Sequence, residues 1–100
     1  MRRYEMMMIT DSTLGEKEQE DLVSKVKDII SKYDAELYSI DKWGEKKLAY
    51  SIKGYDIGTY YVLFFSGSNE LIEELKRVLK ITEGIIRFRI FRREDLEKVE

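Results

Sequence analysis

The sequence predicts an α+β fold in which two helices pack on one face of a four-stranded antiparallel sheet. Three observations predict it. Four stretches carry the β-favouring, short-run patterns of strands, and two others repeat apolar residues at helical spacing. These six stretches follow the order strand, helix, strand, strand, helix, strand. The chain of 100 residues, 43% of them hydrophobic, has the material for one packed core, hence one domain over residues 1–100.

Tyr4 to Thr10 (YEMMMIT) is an apolar run of strand length bounded by the turn cluster Asp11-Ser12-Thr13. Thr13 and Glu16 have capping-box spacing, so a helix is expected to start there. Its apolar stripe is Leu22, Val26, Ile29, Ile30 and Tyr33, and Asp34 ends it. From Ala35 to Ile52 the pattern is that of a long strand, with Gly44 marking a bulge or kink. Gly54 to Gly58 reads as a turn, and Thr59 to Phe65 (TYYVLFF) as a strongly β-prone strand. Ser66-Gly67-Ser68-Asn69 supplies a turn and a cap for a second helix burying Leu71 or Ile72, Leu75, Val78 and Leu79. Gly84 breaks the chain, and Ile85 to Phe91 (IIRFRIF) alternates apolar and basic residues as a half-buried strand does. This βαββαβ order is the ferredoxin-like split βαβ pattern. Its helix-free sheet face stays open unless a partner covers it, so function is sought there.

The residue types narrow the chemistry. The chain has no His and no Cys, which excludes Ser-His-Asp and Cys-His nucleophiles, disulfides and the usual zinc sites. The carboxylates lie at helical spacing among lysines, as on solvated helix faces. The loop Asp11 to Lys17 has one glycine and two acids, Asp11 and Glu16, unlike a phosphate-cradling loop. No enzyme activity, cofactor, metal or small-molecule substrate is therefore expected. No apolar run reaches the length of a membrane span, and the N-terminal Met1-Arg2-Arg3-Tyr4-Glu5 lacks a small-residue cleavage site. A soluble, cytoplasmic chain is the expectation.

Net charge is −2, whereas nucleic-acid binders usually carry excess Lys and Arg. The distribution matters more than the sum. Acids crowd into Glu16 to Glu36, Glu70 to Glu83 and Glu94 to Glu100; bases cluster at Arg2-Arg3, Lys46-Lys47 and Arg87, Arg89, Arg92 and Arg93. If Phe88 and Ile90 face the core, Arg87, Arg89 and Phe91 project onto the open face. If Tyr61, Leu63 and Phe65 face inward, Tyr60, Val62 and Phe64 face outward. Arginines mixed with aromatics suit phosphate contacts, base stacking or a protein partner. Charges on exposed strands also guard against aggregation, which stays open for Lys46-Lys47.

The opening Arg2-Arg3-Tyr4-Glu5, the central Gly44 with Lys46-Lys47-Leu48-Ala49-Tyr50 and Ile52, then Gly58 and Tyr60, and the late Ile86-Arg87 resemble bacterial small-subunit ribosomal protein six. The resemblance runs over nearly the whole chain, although Ser51 stands where that family usually has proline. It implies the ferredoxin-like fold and a structural role in the small ribosomal subunit. It also implies binding to the central domain of the ribosomal RNA together with ribosomal protein eighteen. By position, Arg2, Arg3, Lys46, Lys47 and Arg87 are its candidate RNA contacts, with Arg89, Arg92 and Arg93 added on charge. Tyr50, Tyr60, Phe64 and Phe91 are candidates for the partner-protein surface, from parity and exposure. The Lys- and Glu-rich helices suit a thermophilic member. Such helices, with the absence of Pro, Cys and His, equally suit a redesigned or stand-alone domain of the same fold without retained RNA binding.

Overall fold

The computed structural model describes residues 2–97; Met1 and the end of the acidic run, residues 98–100, lie outside them. Strand β1 (Arg2–Asp11) leads into helix α1 (Glu16–Lys32), followed by β2 (Leu37–Ile52), β3 (Tyr55–Gly67), α2 (Asn69–Ile81), β4 (Ile85–Arg92) and a short α3 (Glu94–Glu97). The sheet order is β2-β3-β1-β4, with every neighbouring pair antiparallel. This is the ferredoxin-like arrangement expected from the element order, with β1 central and β2 and β4 at the edges.

The side-chain period of two sorts each strand between two faces. Tyr4, Met6 and Met8 of β1 and Tyr61, Leu63 and Phe65 of β3 join Leu22, Val26 and Ile30 of α1 and Leu71, Ile72, Leu75 and Leu79 of α2 in the main core. Phe88 and Ile90 of β4 pack against the same cluster. The expected parity of β3 and β4 therefore holds, and both Leu71 and Ile72 are buried. Gln19, a polar residue in the buried stripe of α1, ties the helix to the sheet. Its Oε1 accepts from Thr10 Oγ1 (2.6 Å) and from the Tyr61 hydroxyl (3.3 Å), and its Nε2 donates to the Asp11 carbonyl (2.8 Å).

Two local expectations are corrected. Thr13 does not cap α1: its N–H and hydroxyl both turn back to Asp11 Oδ1, at 2.9 and 2.7 Å, which also lowers the Asp11 pKa. Gly15 occupies the N-cap position instead, with no side-chain hydrogen bond. Second, residues 54–58 are not a turn. The reversal takes only Lys53 and Gly54, both at positive φ (52° and 85°), and Ile52 pairs with Tyr55. Two central residues of positive φ make the tight hairpin whose twist matches that of its strands. Gly58 lies inside β3 because a Cβ there would collide with the Ile9 side chain. Beyond β4, Glu94–Glu97 form a helical turn. At Gly44 the expected irregularity is present: the register shifts between Lys42 and Gly44, and φ is +92°. Asp34, at φ 54°, follows α1 as expected.

Candidate nucleic-acid interface

The helix-free face is ordered in cross-strand rows set by β1. Phe64, Glu5 and Phe91 form one row; Val62, Met7 and Arg89 the next; Tyr60, Ile9 and Arg87 a third. The arginines and aromatics named from the sequence do share this face, but they are not equally free. Val62 is only 2% exposed, and Tyr60 and Phe64 are half-buried. Tyr60 is occupied within the chain, packing against a second apolar cluster. Phe91 (47% exposed) and Tyr50 (66%) are open.

That second cluster explains the geometry of one end of the face. The β2–β3 hairpin is longer than the sheet beneath it, and its end closes onto β1 and β4. Leu48 buries itself against Ile9 and Ile86, with Ile52, Tyr55 and Tyr60 around them. A register shift beside Ile9 and Thr10 lets Ile85 join the main core while Ile86 joins this cluster on the opposite face. With Leu48 anchored, Tyr50 reaches Arg87, whose Nη1 donates to the Tyr50 hydroxyl at 3.3 Å. This hydrogen bond, reinforced by the charge of Arg87, lowers the Tyr50 pKa below its ordinary 10. Lys46 stands 5.3 Å from the centroid of the exposed Trp43 ring, and Lys47 and Arg89 are exposed. Tyr50, Arg87 and Arg89 thus share one hollow at the hairpin end, while Lys46 and Lys47 stand farther along β2 beside Glu45 and Asp56.

The other end holds the remaining candidates, about 20 Å away along β1 at the usual rise per strand residue. Arg2 donates to Asn69 Oδ1 at 2.5 Å, and the Arg3 guanidinium stacks 4.3 Å from the centroid of Tyr38. Arg92 shares the parity of Phe88 and Ile90, not that of Arg87 and Arg89, since it pairs with Tyr4. It makes a two-pronged contact with Glu97 at 2.9 and 3.1 Å. Arg93 bonds both oxygens of Asp95 (2.9 and 3.0 Å) and Glu5 Oε1 (2.5 Å), and lies 5.9 Å from the centroid of Phe64. Hydrogen bonds to these carboxylates raise the pKa of both arginines, and Arg92 holds Glu97 down to about 2. The helical turn of α3 is therefore a clasp whose acids already occupy the two arginines.

Tyr38 and Trp43 are aromatic members of this surface that sequence parity did not mark. Each lies at a register shift of β2, between Leu37 and Ser39 and between Lys42 and Gly44. A bulge breaks the alternation from which a facing is read. Their signal was a bulge-prone glycine for Trp43 and none for Tyr38.

Comparison with known proteins places this geometry among relatives. The family model described as ribosomal protein S6 matches residues 3–92. A small ribosomal subunit protein bS6 of Campylobacter lari is 43% identical over 99 residues, covering 99% of this chain and 80% of the relative. The bS6 protein of Caldanaerobacter subterraneus is 37% identical over 95 residues, 95% of this chain and 100% of the relative. The crystal structure of 30S ribosomal protein S6 from Thermotoga maritima superposes with a TM-score of 0.91 at 37% identity, over 98% of this chain and 92% of that one.

Proposed function

We propose that this chain, which belongs to the ribosomal protein S6 family and is a structural, non-enzymatic constituent of the small ribosomal subunit in the cytoplasm, binds ribosomal RNA in company with a partner ribosomal protein. The RNA is the central domain of the small-subunit RNA, and the partner is ribosomal protein eighteen. Arg87, Lys46, Lys47 and Arg89 contact phosphates at the hairpin end. Tyr50 and Phe91, with Tyr38 and Trp43, offer the aromatic area that a partner or an unstacked base would cover. Arg2 and Arg3 extend the cationic surface toward the other end. Tyr60 and Phe64 support this surface from beneath rather than forming its outer layer.

The observation that carries this reading is the Arg87–Tyr50 pair. Two residues from β4 and the folded-over hairpin meet on the open face at 3.3 Å, with cations beside them that no described carboxylate neutralises. A guanidinium held by a phenol rather than a carboxylate keeps its full charge for a phosphate. Such contacts position RNA by backbone and shape, so affinity falls steeply with salt. The test is binding of a central-domain RNA fragment at low and high salt, with and without ribosomal protein eighteen. Tight, partner-dependent binding that weakens as salt rises is the expected result. Salt-insensitive or absent binding would overturn it.

A further inference from the structure

We propose a second RNA-binding surface, a cationic groove between α2 and the free edge of β4 that continues the hairpin-end site around the sheet. The inference rests on the RNA-binding role proposed above and extends it to residues on a different element. The groove gathers Lys53 from the hairpin turn, Lys76 and Lys80 from α2, and Arg87 and Arg89 from β4, over a floor that includes Leu79 and Ile85; no acidic side chain lines it. None of the five cations forms an ion pair with a described carboxylate. That contrasts with Arg77, one residue from Lys76, which is bonded to both carboxylate oxygens of Glu74 at 2.9 and 3.0 Å.

The placement is costly without a ligand. Lys76 and Lys80 are four residues apart on one stripe of α2, where like charges repel. Lys80, in the last turn, gains from the helix dipole, but Lys76 does so less. Within a chain of net charge −2, these five cations stand together along one groove that no acidic side chain lines.

The edge itself distinguishes between anionic occupants. The Arg93 N–H donates to the Arg3 carbonyl at 2.7 Å, so the register turns the backbone groups of Arg87, Arg89 and Phe91 toward β1. Phe88, Ile90 and Arg92 then present N–H and C=O to the free side within the regular stretch, and Arg92 stands directly before the helical turn of α3. The register shift at Ile9 and Thr10 interrupts the ladder just beyond. That is too short and too bent an edge for an acidic peptide to add as a fifth strand. A second copy of the chain would bring Arg87 and Arg89 against their own like. A phosphate backbone needs no ladder, only spaced cations, and Arg87 and Arg89 are common to this groove and to the hairpin-end site.

The test is the salt dependence of binding to the central-domain RNA fragment, in the presence of ribosomal protein eighteen, for the unaltered chain, K76A/K80A and R77A. Both variants place alanine on an exposed helix surface, and circular dichroism checks that they fold. K76A/K80A is expected to weaken binding roughly tenfold and to flatten the slope of log affinity against log salt by about 1.4, the value for two lost single-strand phosphate contacts. R77A is expected to change neither. If the unaltered chain binds RNA and K76A/K80A binds with the same affinity and slope, this inference falls while the functional reading stands. If the unaltered chain binds no RNA, both fall. Protection of Lys76 and Lys80 from acetylation by poly-glutamate but not by RNA would assign the groove to an acidic peptide and also overturn it.

Discussion

The two ends of the open face carry similar cations in opposite conditions. At the clasp end, Arg92 and Arg93 are held by Glu97, Asp95 and Glu5. At the hairpin end, Arg87 is held by a phenol, and Lys46, Lys47 and Arg89 have no carboxylate partner among the described residues. The charge count is nearly the same, but the charge on offer is not. An arginine already in a two-pronged contact must lose it before it meets a phosphate, whereas one on a phenol loses little. The comparison teaches that the neighbour of a cation, and not its presence alone, sets how much of its charge is on offer.

The largest expected effect comes from removing the anchor that creates the hairpin end. Leu48→Ala should cost about 2–4 kcal/mol of stability, as for other buried Leu truncations, measured by urea unfolding. Its cluster is small, so the loss should fall below that of Leu63→Ala in the main core, where the side chain is 0% exposed. At temperatures where the chain remains folded, RNA affinity should drop with it, because Tyr50 is no longer brought to Arg87. RNA binding that survives a loosened hairpin would break the comparison at its base.

Next in size is the pair of variants Arg87→Ala and Arg92→Ala. The first should weaken RNA binding about tenfold and lower the salt slope by about 0.7, the value for one single-strand phosphate contact. Arg92→Ala should leave RNA binding nearly unchanged and release α3, visible as faster amide exchange at residues 94–97. Equal losses from both would mean that the clasp opens on RNA and that the two ends act alike.

The smallest effect is a pH dependence confined to the clasp. The Glu97 carboxyl is held at about 2 against an ordinary 4.5, chiefly by its hydrogen bond from Arg92. A carboxylate depressed in this way contributes its full share above the ordinary value and loses it as pH falls toward the folded-state value. The clasp should therefore open as pH falls from 4.5 toward 2, read from the Glu97 carboxyl shift and the Arg92 Nε–H in an NMR titration. The contribution to global stability is small, because these side chains are solvent-screened. The Arg87–Tyr50 contact gains no proton in that range and should persist for as long as the chain stays folded.

Much of this was legible in the sequence, and the rest failed for local reasons. Alternation in IIRFRIF and TYYVLFF assigned both faces of β3 and β4, because apolar positions at period two have one sensible burial. The hairpin turn was misread since Gly54 and Gly58 look alike in sequence. One supplies positive φ and the other a missing Cβ against Ile9. Thr13 and Glu16 satisfied a spacing rule, but Asp11, two residues earlier, competes for the same hydroxyl. The basic cluster at Arg87 to Arg93 read as one unit because its acidic partners come from elsewhere, Glu5 on β1 and Glu97 beyond the strand. Lys76 and Lys80 passed as a solvated helix face, which is what lysines among glutamates ordinarily mean. Only the edge of β4 beside them gives them a second possibility.

The register that pairs Met8 with Phe88 also sets an order of events. The helices and the β2–β3 hairpin can form from near neighbours, but β4 reaches β1 only across the intervening chain, a closure that long sequence separation makes slow. Arg87 and Arg89 travel with β4. During synthesis, therefore, the proposed RNA surface stays incomplete until β4 has docked: a chain stalled before Ile85 carries Lys46, Lys47 and Tyr50 but lacks Arg87 and Arg89. Completion of that surface is thereby a late event in folding, set by topology and not by any single contact.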